Sequence, residues 1–208
     1  MKKSAFTMIE LVFVIVVAGI LAAVFIPRFE RDNIAEAAYQ VARHIRLTQH
    51  HAMVEDRFND APAGVDWKET NWRITFVSGT SGECYQVHAD RDGNGGTPAS
   101  SEMAVDPMTK KGLFGGSACN GSNEDVLLWK SFGINAVTVC GVATSAGGIK
   151  NLAFDHLGRV GQISGNTMNL LANDCTVHLT TSDGHYADVL VTKETGFVKV
   201  ANIDGTAL

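Results

Sequence analysis

The chain has 208 residues, 45% of them apolar, with a formal net charge of −5 and 21 glycines against 4 prolines. That length holds one domain with a core, or a smaller domain plus an anchoring segment. The acidic balance speaks against a polyanionic partner, so no nucleic acid is expected, and the glycine excess suits a turn-rich domain rather than a proline-rich disordered one.

The first element is apolar. Leu11 to Ile26 forms an unbroken run of 16 apolar residues, counting Gly19. At ~1.5 Å per residue the run covers about 24 Å, short of a ~30 Å hydrocarbon core, so it spans only if Phe6–Glu10 joins the helix. Glu10 then sits at the boundary, where an ionised acid without a partner costs on the order of a few kcal/mol. A cleaved secretory signal would need a small-x-small site after the run, and no Ala-x-Ala lies between Leu11 and Pro27. A core helix is seldom apolar on every face. A permanent anchor is the reading retained. Lys2 and Lys3 precede the run and Arg28 and Arg31 follow it, so charge does not orient it.

Lys2-Lys3-Ser4-Ala5 followed by Phe6-Thr7-Met8-Ile9-Glu10-Leu11 resembles the class III leader of type IV pilin-like proteins, a group that includes the pseudopilins of type II secretion. The pattern is a short basic leader, a small residue, then F-T-x-x-E-L and an apolar helix. Ala5 stands where the family usually has Gly. The resemblance implies cleavage between Ala5 and Phe6 by a prepilin peptidase, N-methylation of Phe6, and fibre assembly through Phe6 and Glu10. It implies a leader at 1–5, a transmembrane and assembly helix at 6–27, its amphipathic continuation at 28–56 and a periplasmic β-rich domain at 57–208. The implied location is the inner membrane, single-pass, then a periplasmic fibre. Implied partners are other pilin or pseudopilin subunits, an inner-membrane assembly platform driven by a cytoplasmic ATPase, membrane lipid and secreted protein substrates. Phe6 and Glu10 are four apart and share a helix face. The new amine on Phe6 would pair with Glu10 of its own chain or a neighbour's, a contact that gains strength where screening is weak.

Pro27 is expected to kink the helix. Beyond it Ile34, Ala37, Ala38, Val41, Ala42, Ile45, Thr48 and Ala52 recur at three- and four-residue spacing, which predicts an amphipathic helix with a small-residue face. Glu36, Gln40, Arg43, Arg46 and His50 fall on its other sides.

After about Asp56 the period becomes two. Strands are expected near Trp72–Val77, Cys84–His88, Val126–Trp129, Ala136–Cys140, Asn151–Phe154 and Val160–Ser164. Thr176–Thr181, Tyr186–Thr192 and Phe197–Ile203 read as a meander, with a type I′ turn at Asp183-Gly184. The fold class expected is α+β: a long N-terminal helix, its first half membrane-spanning, packed on an antiparallel β-sheet in a pilin-like arrangement. "FDHLGRV" (Phe154–Val160) and the closing "VLVTKETGFVKV" resemble the turns and final hairpin of minor pseudopilins of the H kind and of FimT-like minor pilins.

Asp90-Arg91-Asp92-Gly93-Asn94-Gly95 fits the D-x-D-x-N-G opening of a calcium loop, so Asp90, Asp92 and Asn94 are calcium candidates. The twelfth position is Ser101, with Glu102 one residue late. Asp106 is a further oxygen if the loop folds back. The competing reading is a turn that uses the same residues for positive φ. No cofactor is otherwise required. Cys84, Cys119, Cys140 and Cys175 have no C-x-x-C spacing, and their even number fits two disulfides in an oxidising compartment. Three pairings are open; a Cys119–Cys140 bridge, for one, would tether the Gly/Ser/Asn-rich insertion at 93–125 to the next strand. The seven histidines form no site and read as surface or turn residues. No G-x-S-x-G, P-loop or dinucleotide fingerprint occurs, and no enzyme activity is expected. The function expected is a structural minor subunit; the alternative is an adhesive or DNA-uptake minor pilin.

Overall fold

A computed structural model describes residues 7–55, 70–93, 98–146, 150–164, 167–204 and 206–208; for 23–32 and 207 it describes the backbone alone. The chain divides into two units, Met1–Asn33 and Ile34–Leu208. Helix α1 (Met8–Val54) begins in the first and ends in the second.

In the second unit α1 buries Ile34, Ala37, Ala38, Val41, Ala42, Ile45, Thr48 and Ala52. The alanines let the helix axis approach a sheet closely, and the three/four spacing keeps them on one side. They join one core with Ile74, Phe76, Val87, Leu152 and Phe154, and with Val177, Leu179, Val189, Val191 and Val198.

Those two groups of residues belong to two different antiparallel sheets. The first has the order β2 (Gly82–His88), β1 (Arg73–Gly79), β5 (Asn151–Phe154), β6 (Val160–Ser164), β7 (Thr167–Leu170). The second runs β11 (Thr206–Ala207), β10 (Val198–Ile203), β9 (Tyr186–Val191), β8 (Cys175–Thr181), β3 (Ile134–Val139), β4 (Val142–Ala143). Strand β1 pairs with β5 rather than with β3, Ile74 lying opposite Leu152. Strand β3 instead joins β8, with Val139 opposite Val177. Along β8 buried and half-buried residues alternate, the mark of a strand with one face on the core.

The expected α+β, pilin-like fold with one sheet and a membrane-spanning half-helix is therefore corrected. The chain is mostly β, in two sheets, and among the described residues no helix is long and apolar enough to cross a membrane. The physical reason for the second sheet is strand partner choice: β1 takes β5 as its neighbour while β3 takes β8, so the strands divide between two sheets instead of forming one. Val126–Trp129 is not a strand either. It lies in a 3-10 turn (Glu124–Val126) and the one-turn helix α2 (Leu128–Phe132), which stops at Gly133 with φ 71°. At the β8–β9 connection only Gly184 has positive φ, so Asp183-Gly184 is not a type I′ turn. That turn occurs at Cys140-Gly141, φ 50° and 84°, between paired Val139 and Val142.

Candidate functional site

Four groups of residues bear on function. The first is the start of α1. Thr7 and Glu10 form one half of a capping box: the Thr7 backbone N–H donates to Glu10 Oε2 at 3.4 Å, and the Thr7 hydroxyl donates to the same oxygen at 3.5 Å. Glu10 thus satisfies a helix-end donor and places negative charge where the helix dipole favours it. From Met8 to Leu21 the large apolar side chains are between 38% and 87% exposed. Ala5 and Phe6, the cleavage and methylation residues, lie outside the described residues.

The second group is the acidic loop. Carboxylate oxygens of Asp90, Asp92 and Glu102 lie within 4.8 Å of one another, while Asn94 lies outside the described residues. Glu102, read as one residue late for a calcium loop, is the centre of the cluster. It is buried, and its Oε1 accepts from the backbone N–H of Arg91 at 2.7 Å and of Asp92 at 3.2 Å. Its Oε2 accepts from Ala99 N–H at 2.8 Å. Asp90 is paired with Arg73 at 3.1 Å. Both oxygens of Glu102 are thus committed to holding the loop, and the carboxylate cluster by itself does not argue for a metal ion.

The third group is the cysteines. The bridges are Cys84–Cys119 and Cys140–Cys175, each with a sequence separation of 35. The Cys119–Cys140 tether is not formed. Cys84 on β2 holds the insertion against the first sheet, and the Cys140–Cys175 bridge lies just beyond the Val139–Val177 pair of the second.

The fourth group was not singled out from the sequence. His44 and Asp106 are essentially inaccessible, and Tyr85 is wholly buried. An Arg43 guanidinium nitrogen lies 3.1 Å from His44 Nε2 and donates to Asp106 Oδ2 at 3.0 Å. Guanidinium only donates, so the Arg43 contact calls for Nε2 as acceptor and the proton on Nδ1, while the Asp106 carboxylate lies farther from the same Nε2, at 3.6 Å. Nδ1 lies 2.6 Å from the Tyr85 hydroxyl, which in turn donates to the Asp125 carbonyl at 3.4 Å. Burial, then the Arg43 charge, lower the His44 pKa to about 4. Burial raises that of Tyr85. For Asp106 burial opposes ionisation, but the Met108 N–H and Arg43 outweigh it and hold the carboxyl below its usual value.

His88 is buried as well, its Nε2 3.2 Å from the Thr75 hydroxyl, and burial, then Arg73, lower its pKa to about 3. His44 and His88 thus correct the reading of the histidines as surface or turn residues. The signal for His44 was its phase: it lies three residues after Val41 and four before Thr48 on the buried stripe. His178 and His185 face carboxylates instead, Asp188 at 2.6 Å and Asp204 at 3.0 Å. The arrangement around His44 seals the helix to β2 and the Asp106 loop; Tyr85 has no access to a substrate.

Comparison with known proteins finds no matching family model, no matching curated protein and no matching solved structure.

Proposed function

We propose that the chain is a minor structural subunit of a type IV pilin-like fibre, either a type II secretion pseudopilus or a type IV pilus, which it joins through its N-terminal helical segment. One observation carries this reading. The segment that follows the leader-like Lys2–Ala5 leaves its large apolar side chains exposed from Met8 to Leu21. The domain from Ile34 onward already has a core of its own. An exposed apolar stretch of this length is surplus to that core and requires cover from other molecules.

In this reading a prepilin peptidase cuts after Ala5 and Phe6 is N-methylated. The new amine and Glu10 then form the charge pair that sets register between subunits. Partners are other pilin or pseudopilin subunits, an assembly platform and, at the exposed domain, secreted proteins. The two disulfides support an oxidising, extracytoplasmic working place. We assign the chain no catalysis.

Mass spectrometry of the mature protein from its native cell tests the reading. A terminal peptide that begins at methylated Phe6 is expected. A native chain that still begins at Met1, or that begins beyond Leu21, overturns it.

A further inference from the structure

We propose that the groove between α1 and the Pro107-Met108 turn is a binding site for a small carboxylate carried on an apolar stem. The site lies wholly within the domain from Ile34 onward and does not depend on the fibre reading.

The groove has a volume of about 360 Å³, enough for a ligand of small-molecule size. Arg43, Arg46, Leu47 and His50 share one side of α1 through their three- and four-residue spacing and form one wall. Asp106, Pro107 and Met108 form the other. The lining thus joins cationic groups to an apolar surface made by Leu47, Pro107 and Met108.

Charge selects the ligand. Arg43 Nη2 is 3.0 Å from Asp106 Oδ2, so these two charges cancel. Asp106 is buried and also accepts from the Met108 N–H at 2.9 Å and the Thr109 hydroxyl at 3.3 Å, which commits both its oxygens. Arg46 is held in place by its Nε and Nη2, which donate to the Val198 carbonyl at 3.2 and 2.7 Å, and among the described residues no carboxylate partners it. Two guanidiniums against one carboxylate leave the lining with one positive charge while His50 is neutral, and a monoanion balances it. The donors point the same way. Arg43 Nη1 donates at 2.7 Å to the Met108 thioether, a weak acceptor, and Arg43 Nε is buried with no hydrogen-bond partner. A carboxylate oxygen in place of that sulfur would give Nη1 a charge-assisted bond. Met108 is 73% exposed and flexible, so it can swing aside. The stem then lies along Leu47 and Pro107. Inorganic phosphate has nothing to set against that apolar surface, and an uncharged ligand leaves Arg46 unbalanced. A free small acid and the C-terminus of a peptide ending in an apolar residue share the required chemistry.

The test is an NMR titration of the full chain, labelled with ¹⁵N in arginine alone and held in neutral maltoside micelles. The Nε–H resonances of Arg43 and Arg46 are assigned from Arg43→Lys and Arg46→Lys. The probes are hexanoate, acetyl-Ala-Leu, hexanol and inorganic phosphate. Hexanoate, acetyl-Ala-Leu or both should move the two resonances saturably, and hexanol and phosphate should not. The tighter of the first two names the source, free acid or peptide C-terminus. Arg46→Gln should weaken binding about tenfold, read at Arg43. Met108→Glu, at an exposed position, should abolish binding by placing the protein's own carboxylate beside Arg43, with the other arginine resonances unmoved. No saturable shift with either carboxylate overturns the site. So does an equal response to hexanol or phosphate, or binding undiminished in Met108→Glu.

Discussion

The Nδ1 of His44 lies 2.6 Å from the hydroxyl of Tyr85, with both side chains wholly buried. The neutral imidazole is the form that the Arg43 donor at Nε2 calls for. His44 and His88 have folded pKa values of about 4 and about 3, both below the ordinary value of 6.5. Between roughly pH 6.5 and pH 4 the unfolded chain therefore binds protons that the folded chain refuses, and stability falls as pH falls. Each histidine contributes a slope that reaches at most roughly 1.4 kcal/mol per pH unit in that window. Urea unfolding at a series of pH values should show it. His44→Gln and His88→Gln should each lower the slope in that window, the Asp106 carboxyl adding its own share toward the acid end. A slope unchanged in both variants would contradict the assignment.

Both disulfides close loops of similar length. In the chain-entropy model a loop with a sequence separation of 35 stabilises by about 4 kcal/mol. Replacing Cys84 and Cys119 together by Ser should lower stability by about that amount, and so should replacing Cys140 and Cys175. Peptide mapping without reductant should recover these two pairs. A Cys119–Cys140 peptide would show a different chain path.

Gln49 connects two turns that are remote in sequence. Its Nε2 donates to the Gly158 carbonyl at 2.8 Å and to the Thr195 carbonyl at 2.9 Å. At Gly196, with φ 60°, an added Cβ would lie 2.2 Å from the Gly158 carbonyl oxygen. Gln49→Ala is expected to cost about 1–3 kcal/mol, from two acceptors left without a donor. Gly196→Ala should cost about 2–4 kcal/mol, from left-handed backbone plus the clash. Thermal denaturation checks both; loss of less than half a kcal/mol in either means that the turns are held some other way.

Glu102 holds three backbone N–H groups with one buried carboxylate. Glu102→Gln turns an amide NH₂ toward donors and should destabilise by about 2–4 kcal/mol. Calcium is a direct control. With both Glu102 oxygens committed, millimolar calcium should leave the wild-type melting temperature unchanged. A rise that disappears in Asp92→Ala would show that the loop opens to take the ion.

Much of the β domain was legible because period-two alternation survives wherever one face is buried; β5 and β6 match their expected limits, Asn151–Phe154 and Val160–Ser164. Partner choice was not. Alternation tells which face a strand buries, not which strand lies beside it, so the split into two sheets and the cysteine pairing were hidden. Val126–Trp129 misled because a short apolar run has no period of its own. Strand β4 was hidden by a Cys-Gly turn where Asn-Gly is the usual signal. At the candidate site Glu10 was visible as the one acid in an apolar segment. Its bond to Thr7 was equally readable as T-x-x-E. Glu102 was noticed only as a mismatch to a motif, and its buried position could not be read from the spacing.

The two covalent loops also bear on how the domain would respond to tension, as it would meet in the proposed fibre role. Each bridge removes 35 residues from the stretch of chain that force can extend, about 120 Å apiece at full extension. Neither staple crosses from one sheet's strands to the other's: one clasps β2 to the insertion, the other clasps β3 to β8. A pulled domain should therefore lengthen by less than its full chain would allow, and a reducing buffer should release roughly 240 Å of slack in all.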